Sequence, residues 1–402
     1  MGTFLEELKV DLFQAYYDAR RHKRNTHNQL KFEINYESNL LRLYDDIVSK
    51  TYELRKSICF IVNKPLKREI FAADFRDRIV HHLLFNYINP CVDQQFIEDS
   101  YSCRKGRGNL FGIRRAEEFM RSCSEGYTQD CYILKLDVRG YFMSIDKQLL
   151  HEKLFRLLRP MTHRPMLSDD DRLKNDYITW LLDKVIWNDP IEGCIMKGKP
   201  SERIGLPASK SLFHSPKGAG LPIGNLTSQL FSNVYLHDLD YYVKHELQLE
   251  YYGRYVDDFF VIHHDKNELL KTKEKIRAFM RENCRLDIHP NKIYLQHYAK
   301  GFLFLGAYIK PGRSYVGRRV KAHFLQALYE WEKHLQSGAS VSPRELEKMR
   351  ATINSYLGIM KHHSAYNVKK KALFSGKIPA IHQRGYFVTQ IHRYVLKENQ
   401  EN

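Results

Sequence analysis

Two adjacent carboxylates, Asp257 and Asp258, lie between runs that both read as β-strand, Tyr251-Tyr252 with Tyr255-Val256 before them and Phe259-Phe260-Val261-Ile262 after. This spacing predicts a hairpin with acid at its tip. Two carboxylates about 4 Å apart repel by roughly 4 kcal/mol at an effective dielectric of about 20, so a fold gains from that placement only when a cation binds between them. A second apolar run, Tyr132-Ile133-Leu134-Lys135-Leu136-Asp137, also ends in a carboxylate. Three carboxylates on two neighbouring strand ends suffice to hold two Mg2+ ions, which take hard oxygen ligands and share them with substrate phosphates. A metal pair about 3.5–4 Å apart activates an attacking oxygen and stabilises a leaving one, which is phosphoryl-transfer chemistry.

The charge balance points the same way. The 402-residue chain carries a formal charge of +17, which implies a polyanionic partner. The excess is uneven: residues 301–321 contain Lys310, Arg313, Arg318, Arg319 and Lys321 with no acid, and the segment from 361 on is basic too. These cations flank Tyr and Phe residues able to stack on bases and sugars, so nucleic acid is the better reading than a merely solvated face. Seven cysteines at irregular positions give neither a disulfide framework nor paired zinc spacing, which fits a reducing cytoplasm. No run approaches the length of a membrane span, and the N-terminus lacks a signal-peptide pattern.

Around these acids stand longer motifs. Leu136-Asp137-Val138-Arg139-Gly140-Tyr141-Phe142-Met143-Ser144-Ile145-Asp146 is followed by Gly220-Leu221-Pro222-Ile223-Gly224-Asn225-Leu226-Thr227-Ser228-Gln229 and then by Tyr255-Val256-Asp257-Asp258. In order and content these resemble the palm motifs of reverse transcriptases, and the resemblance runs from about Lys64 to about Ser364. Upstream, Lys64-Pro65-Leu66-Lys67-Arg68-Glu69-Ile70 and Ser102-Cys103-Arg104-Lys105-Gly106-Arg107-Gly108 look like fingers motifs. Downstream, His289-Pro290-Asn291-Lys292 and Gly301-Phe302-Leu303-Phe304-Leu305-Gly306 look like the motif that closes the palm and the primer grip.

The resemblance implies an α+β fold: a right-hand polymerase with fingers, a palm of antiparallel sheet plus helices, and a helical thumb. The expected boundaries are a helical N-terminal extension over 1–62, fingers over 63–130, palm over 131–312 with a surface excursion at 160–219, and thumb plus basic C-terminal segment over 313–402. In the thumb, Ser342-Pro343-Arg344-Glu345 predicts a capped helix start. The resemblance also implies roles. Asp137, Asp257 and Asp258 are the catalytic metal ligands, with the Val138 carbonyl completing the shell. Phe142 packs under the sugar of the incoming nucleotide and excludes a 2′-hydroxyl, though a plain core phenylalanine fits the same pattern. Arg104 and Lys105 grip the triphosphate, and Lys67 adds a phosphate or template contact. Gly224 lets backbone approach the nucleotide at the start of a helix, and Lys292 matches a lysine that protonates the leaving pyrophosphate.

One departure narrows the resemblance. Most reverse transcriptases have Gln-Gly and later Ser-Pro where this chain has Ile223-Gly224 and Ser228-Gln229. That form is similar to the enzymes of diversity-generating retroelements, bacterial and phage systems that copy a template-repeat RNA with errors at adenine. The class implies template RNA, primer, dNTPs and a cDNA product, together with a small basic oligomeric accessory variability protein. Ile223 removes a side-chain amide from the nucleotide pocket, a route to low fidelity, although simple packing fits as well. Reverse transcriptases of group II introns, retrons or phage-defence systems are the nearer rivals, and a non-catalytic RNA-binding derivative the more distant one.

Overall fold

The computed structural model describes residues 3–21, 26–63, 66–165, 167–338, 340–388 and 390–397, so Lys64 and Pro65, which open the first fingers motif, lie outside the described residues. The chain is α+β and divides into two units. One comprises Met1–Lys105, Leu136–Phe259 and Leu270–Ile293; the other comprises Gly106–Lys135, Phe260–Leu269 and Tyr294–Asn402.

In the first unit, helix Phe4–Arg20 buries Phe4, Leu8, Leu12, Ala15 and Ala19, a 3.6-residue stripe, against helix Phe75–Asp93. Tyr87 at the far end donates to Asp11 Oδ2 at 2.7 Å. Helices His27–Glu33 and Tyr36–Val48 complete the N-terminal part. The expectation of helix to residue 62 is corrected here. Ile58–Val62 is a strand, antiparallel to Arg68–Ala72 and parallel to Ile195–Met196. Five consecutive apolar residues show no periodicity, and it is strand pairing that decides their state.

The segment 160–219 is not a mere surface excursion. Helix Asp169–Trp187 starts on a Ser168–Asp171 capping box with three Asp in its first turn, and it buries Tyr177, Ile178, Leu181, Leu182 and Ile186. Helix Leu226–Tyr235, flanked by Phe75–Asp93 and Lys147–Thr162, has eight of its ten residues buried. It is clasped by polar groups: Tyr141 Oη donates to the Ser232 carbonyl at 2.5 Å, and Asn233 Nδ2 to the Ser102 carbonyl at 2.6 Å.

The acid-bearing strands belong to a four-stranded sheet ordered Tyr252–Tyr255, Asp258–His263, Tyr132–Asp137, Tyr294–His297. On its edge strand Tyr252–Tyr255, Arg254, fully buried, forms a two-pronged ion pair with Asp240, Nε to Oδ1 at 2.6 Å and Nη2 to Oδ2 at 2.5 Å. Tyr252 Oη donates to the same Asp240 Oδ1 at 2.7 Å, and Arg254 Nη2 also reaches Ser100 Oγ at 3.2 Å.

The second unit holds an antiparallel sheet of Phe302–Phe304, Ala307–Lys310 and Arg313–Val316. Helices Arg318–Gln336 and Pro343–Met360 pack through Phe324, Leu328, Met349, Ile353, Leu357 and Met360. The expected capped start is present, with Ser342 as N-cap and Glu345 closing the box. Glu332, buried, accepts from the Ala380 and Ile381 amides at 2.9 and 3.0 Å and so caps helix Pro379–Arg384. No helix among the described residues is long and apolar enough to cross a membrane.

Removing one partner of the Asp240–Arg254 pair leaves a buried charge uncompensated, which costs about 3–5 kcal/mol. Asp240→Asn is therefore expected to lower the chemical-denaturation midpoint clearly, whereas the paired change Asp240→Leu with Arg254→Met recovers most of that stability; equal stability of Asp240→Asn and the unmodified protein would show that the pair is not needed.

Candidate active site

The turn that carries the acids is strained. Strand Tyr252–Tyr255 reaches Asp258 through the two residues Val256 and Asp257, and Val256 adopts φ +57°. Positive φ at the first of two central residues suits the right-handed strand twist, but glycine ordinarily takes that place and a β-branched residue pays of order 1–3 kcal/mol for it. Two hydrogen bonds hold the turn in this shape: Arg254 Nη1 donates to the Val256 carbonyl at 3.0 Å, and the Val138 amide donates to the Asp257 carbonyl at 3.3 Å.

The second bond joins the turn to the end of strand Tyr132–Asp137 and so brings Asp137 to Asp257. On its other side that strand end is fixed by the His289 amide donating to the Asp137 carbonyl at 2.8 Å and the Arg139 amide donating to the Asp287 carbonyl at 2.9 Å. The turn after Ile288 then carries Lys292 back over the acids, its Nζ 2.7 Å from Asp137 Oδ1.

The electrostatics follow from this convergence. Burial, then the facing Asp137 carboxylate and more weakly Asp258, push the Asp257 carboxyl up to about 7, while Lys292 pulls it down. Like charges held together by backbone form a cation site, and carboxylate oxygens are hard donors that suit a divalent ion such as Mg2+. Among the described residues no three His, Cys, Asp or Glu side chains cluster closely enough to enclose a metal alone. Asp137 and Asp257 alone would leave most of a divalent ion's coordination sphere to other oxygen donors.

Phe142 and Ile223 belong to one apolar cluster. Phe142, half-buried in the short helix Tyr141–Ser144, and Ile223, half-buried, pack on one cluster of Cys59, Phe71, Met143 and Leu212. Their backbones are fixed as well: the Phe142 carbonyl accepts from the Leu221 amide at 2.8 Å and the Ile223 carbonyl from the Phe71 amide at 2.9 Å. Gly224 has φ +132°, and a Cβ there would come within 3.0 Å of Ile70 Cγ2 and 3.2 Å of the Phe71 carbonyl, so glycine is required. Asn225, the N-cap of the following helix, accepts from the Ala73 amide at 3.1 Å and does not cap its own helix.

The remaining expected contacts are placed differently. Arg104 is committed elsewhere: its guanidinium donates to Asp93 Oδ1 and the Ile97 carbonyl at 2.6 Å, to the Ser100 carbonyl at 3.0 Å and to the Asp93 carbonyl at 3.1 Å. A fifth, longer bond to Asp93 Oδ2 at 3.5 Å uses the last N–H, so the guanidinium ties the helix end at Asp93 to the following residues and has none left for a triphosphate. Lys105 is exposed. Lys67 Nζ donates to the Ile204 carbonyl at 2.8 Å, and Gln229 Oε1 accepts from Cys103 Sγ at 2.9 Å. Sequence reasoning passed over Arg68, an exposed cation at the start of strand Arg68–Ala72 whose charge is felt at Tyr255, next to the acid turn. It also passed over Arg254 and Asp240. A lone arginine within an aromatic strand was the available signal, since such a residue is buried only with a partner.

Residues 64–309 match the family model described as Reverse transcriptase (RNA-dependent DNA polymerase). Protein YkfC of Escherichia coli (strain K12) is 23% identical over 283 residues, which cover 62% of this chain and 65% of that protein. Similar solved structures include telomerase from Candida albicans in complex with a fragment of telomeric RNA, at 13% identity and a TM-score of 0.45, covering 85% of this chain and 61% of that one. Apo telomerase from Candida tropicalis gives 13% identity and a TM-score of 0.46, covering 85% and 64%. The chain thus spans under two thirds of the length of these relatives. The family match covers more than half of the chain, and the protein belongs to the reverse transcriptase family.

Proposed function

We propose that the protein is an RNA-directed DNA polymerase that extends a 3′-hydroxyl on an RNA template. The observation that carries this reading is the convergence of Asp137 and Asp257 at adjoining strand ends with Lys292 against Asp137. Asp137 and Asp257 would hold Mg2+, with Asp258 and the Val138 carbonyl as further ligands. Bound there, the metal supplies charge neutralisation at the attacking and leaving oxygens. Lys292 sits where a cation offsets charge on the departing pyrophosphate, and Arg68 takes the triphosphate contact first assigned to Arg104. Phe142 fills the space of a 2′-hydroxyl and so selects deoxynucleotides.

Within the family we assign the chain to the diversity-generating class, on the Ile223 and Gln229 substitutions. Ile223 offers an apolar surface on the cluster it shares with Phe142, and no side-chain amide fixes the template–nucleotide pair. The reading includes error-prone copying of a template-repeat RNA and a small basic accessory protein.

Asp257→Asn or Asp137→Asn is expected to cut primer extension by a factor on the order of 10³, several kcal/mol of lost charge stabilisation. Because the two carboxylates repel, the metal-free variants unfold at the same temperature or higher. Full-rate synthesis by both would remove the metal assignment. Phe142→Ala is expected to reduce the preference for dNTP over rNTP at least about tenfold in single-nucleotide incorporation, about 1.4 kcal/mol; an unchanged ratio would leave Phe142 as core only. Ile223→Gln is expected to lower errors at template adenines about tenfold more than at other bases, counted by sequencing cDNA from a defined RNA. Synthesis by the unmodified enzyme that is as accurate at adenine as elsewhere, with its native RNA and accessory protein supplied, would overturn the diversity-generating assignment and leave the polymerase assignment standing.

A further inference from the structure

A cavity of about 950 Å3 opens in the N-terminal part of the first unit and shares no lining residue with the acid cluster or the Phe142 pocket. Its walls come from segments far apart in sequence: helices His27–Glu33 and Tyr36–Val48, the approach to strand Ile58–Val62, and the edge strand Ile195–Met196. Six Lys or Arg line it against three Asp. Two of the acids are already answered, Asp46 by Arg76 and Asp74 by Arg55. Lys31, Arg42, Lys56 and Lys197 make no ion pair among the described residues, and they line one concavity from two helices and two connecting segments.

With only Asp45 left to face them, these four cations give the cavity a net positive charge. An anion entering the cavity offsets that charge. The lining also bears on the kind of anion. The apolar side chains of Ile58 and Ile195 line the same space and offer a face to a sugar or base. The volume is that of a site for one nucleotide-sized ligand.

We propose that this cavity is a second phosphate-binding site, remote from the catalytic acids, that takes one ribonucleotide unit through its phosphate. Two sources share that chemistry, a unit within an RNA strand and a free nucleotide. The unit within a strand agrees with the chain's net charge and gives the N-terminal helices a hold on RNA outside the polymerisation site. The proposal stands whether or not the chain polymerises DNA, because its readout is binding.

The test compares the full chain with the variant carrying Lys31→Gln, Arg42→Gln and Lys197→Gln, all exposed positions. Labelled single-stranded RNA is titrated by fluorescence anisotropy across a salt series, and ATP is the free-nucleotide probe. If the site takes a unit of an RNA strand, RNA affinity falls about tenfold or more and the slope of log K against log salt shrinks by about 0.7, the value for one phosphate that is no longer neutralised. If it takes a free nucleotide, RNA binding is unchanged and ATP binding is abolished. Acetylation footprinting of the unmodified protein gives the same answer without any variant: RNA or ATP protects Lys31, Lys56 and Lys197. Unchanged RNA and ATP binding in the variant, with no protection of these lysines by either, would overturn the proposal.

Discussion

The geometry of the acid turn depends on one buried ion pair. Arg254 and Asp240 are both fully buried, and such a pair rarely stabilises a fold more than well-packed apolar residues would. What the pair supplies is position. Arg254 spends two donors on Asp240, one on Ser100, and one on the carbonyl of Val256. That last bond holds a β-branched residue at a φ it would otherwise leave. The arginine is thus a bracket whose far end sets the direction of Asp257, and the strain at Val256 is kept by a network in which Tyr252 also takes part.

From that bracket the electrostatics of the site unfold in order. The turn can approach the end of strand Tyr132–Asp137 only by bringing two carboxylates together, and the Val138 amide fixes that outcome by donating to the Asp257 carbonyl. The raised proton affinity of Asp257 measures how poorly the protein alone satisfies the charge. Lys292 relieves part of it, through Asp137. Its ammonium ion pair is a single contact from a half-exposed side chain, easily exchanged for a more highly charged partner, whereas the backbone bonds around the acids stay fixed. A site built in this way is preorganised for cations.

How much of this was legible in the sequence depends on how local each feature is. The acids at strand ends were readable because one largely apolar run ends at Asp137 and another starts directly after Asp258, and the Ser342 cap because its signature spans four residues. The same resemblance misled at Arg104. Its motif position suggested a phosphate grip, yet Asp93 eleven residues earlier and the carbonyls of one loop consume its donors. Helix Asp169–Trp187 was hidden because charge, proline and glycine dominate 160–219 overall, although Tyr177, Ile178, Leu181, Leu182 and Ile186 keep helical spacing within it. The Asp240–Arg254 pair was invisible for a different reason. Nothing local selects one acid among many as the partner of a buried arginine; packing does.

The apolar cluster shared by Phe142 and Ile223 links two properties that are usually considered apart. In the proposed function one ring sets sugar choice and one aliphatic side chain sets how firmly the templating pair is held. Both rest on Phe71, Met143 and Leu212, and close-packed interiors pass a volume change at one member to its neighbours. Gly224 adds a fixed boundary, since its backbone lies against Ile70 and Phe71 with no room for a Cβ. A looser hold on the base pair therefore cannot come from a wider pocket at that end. In the proposed function it comes from the apolar side chain of Ile223, with the ring of Phe142 still seated, which is a way for a polymerase to lose accuracy in base choice while keeping its choice of sugar.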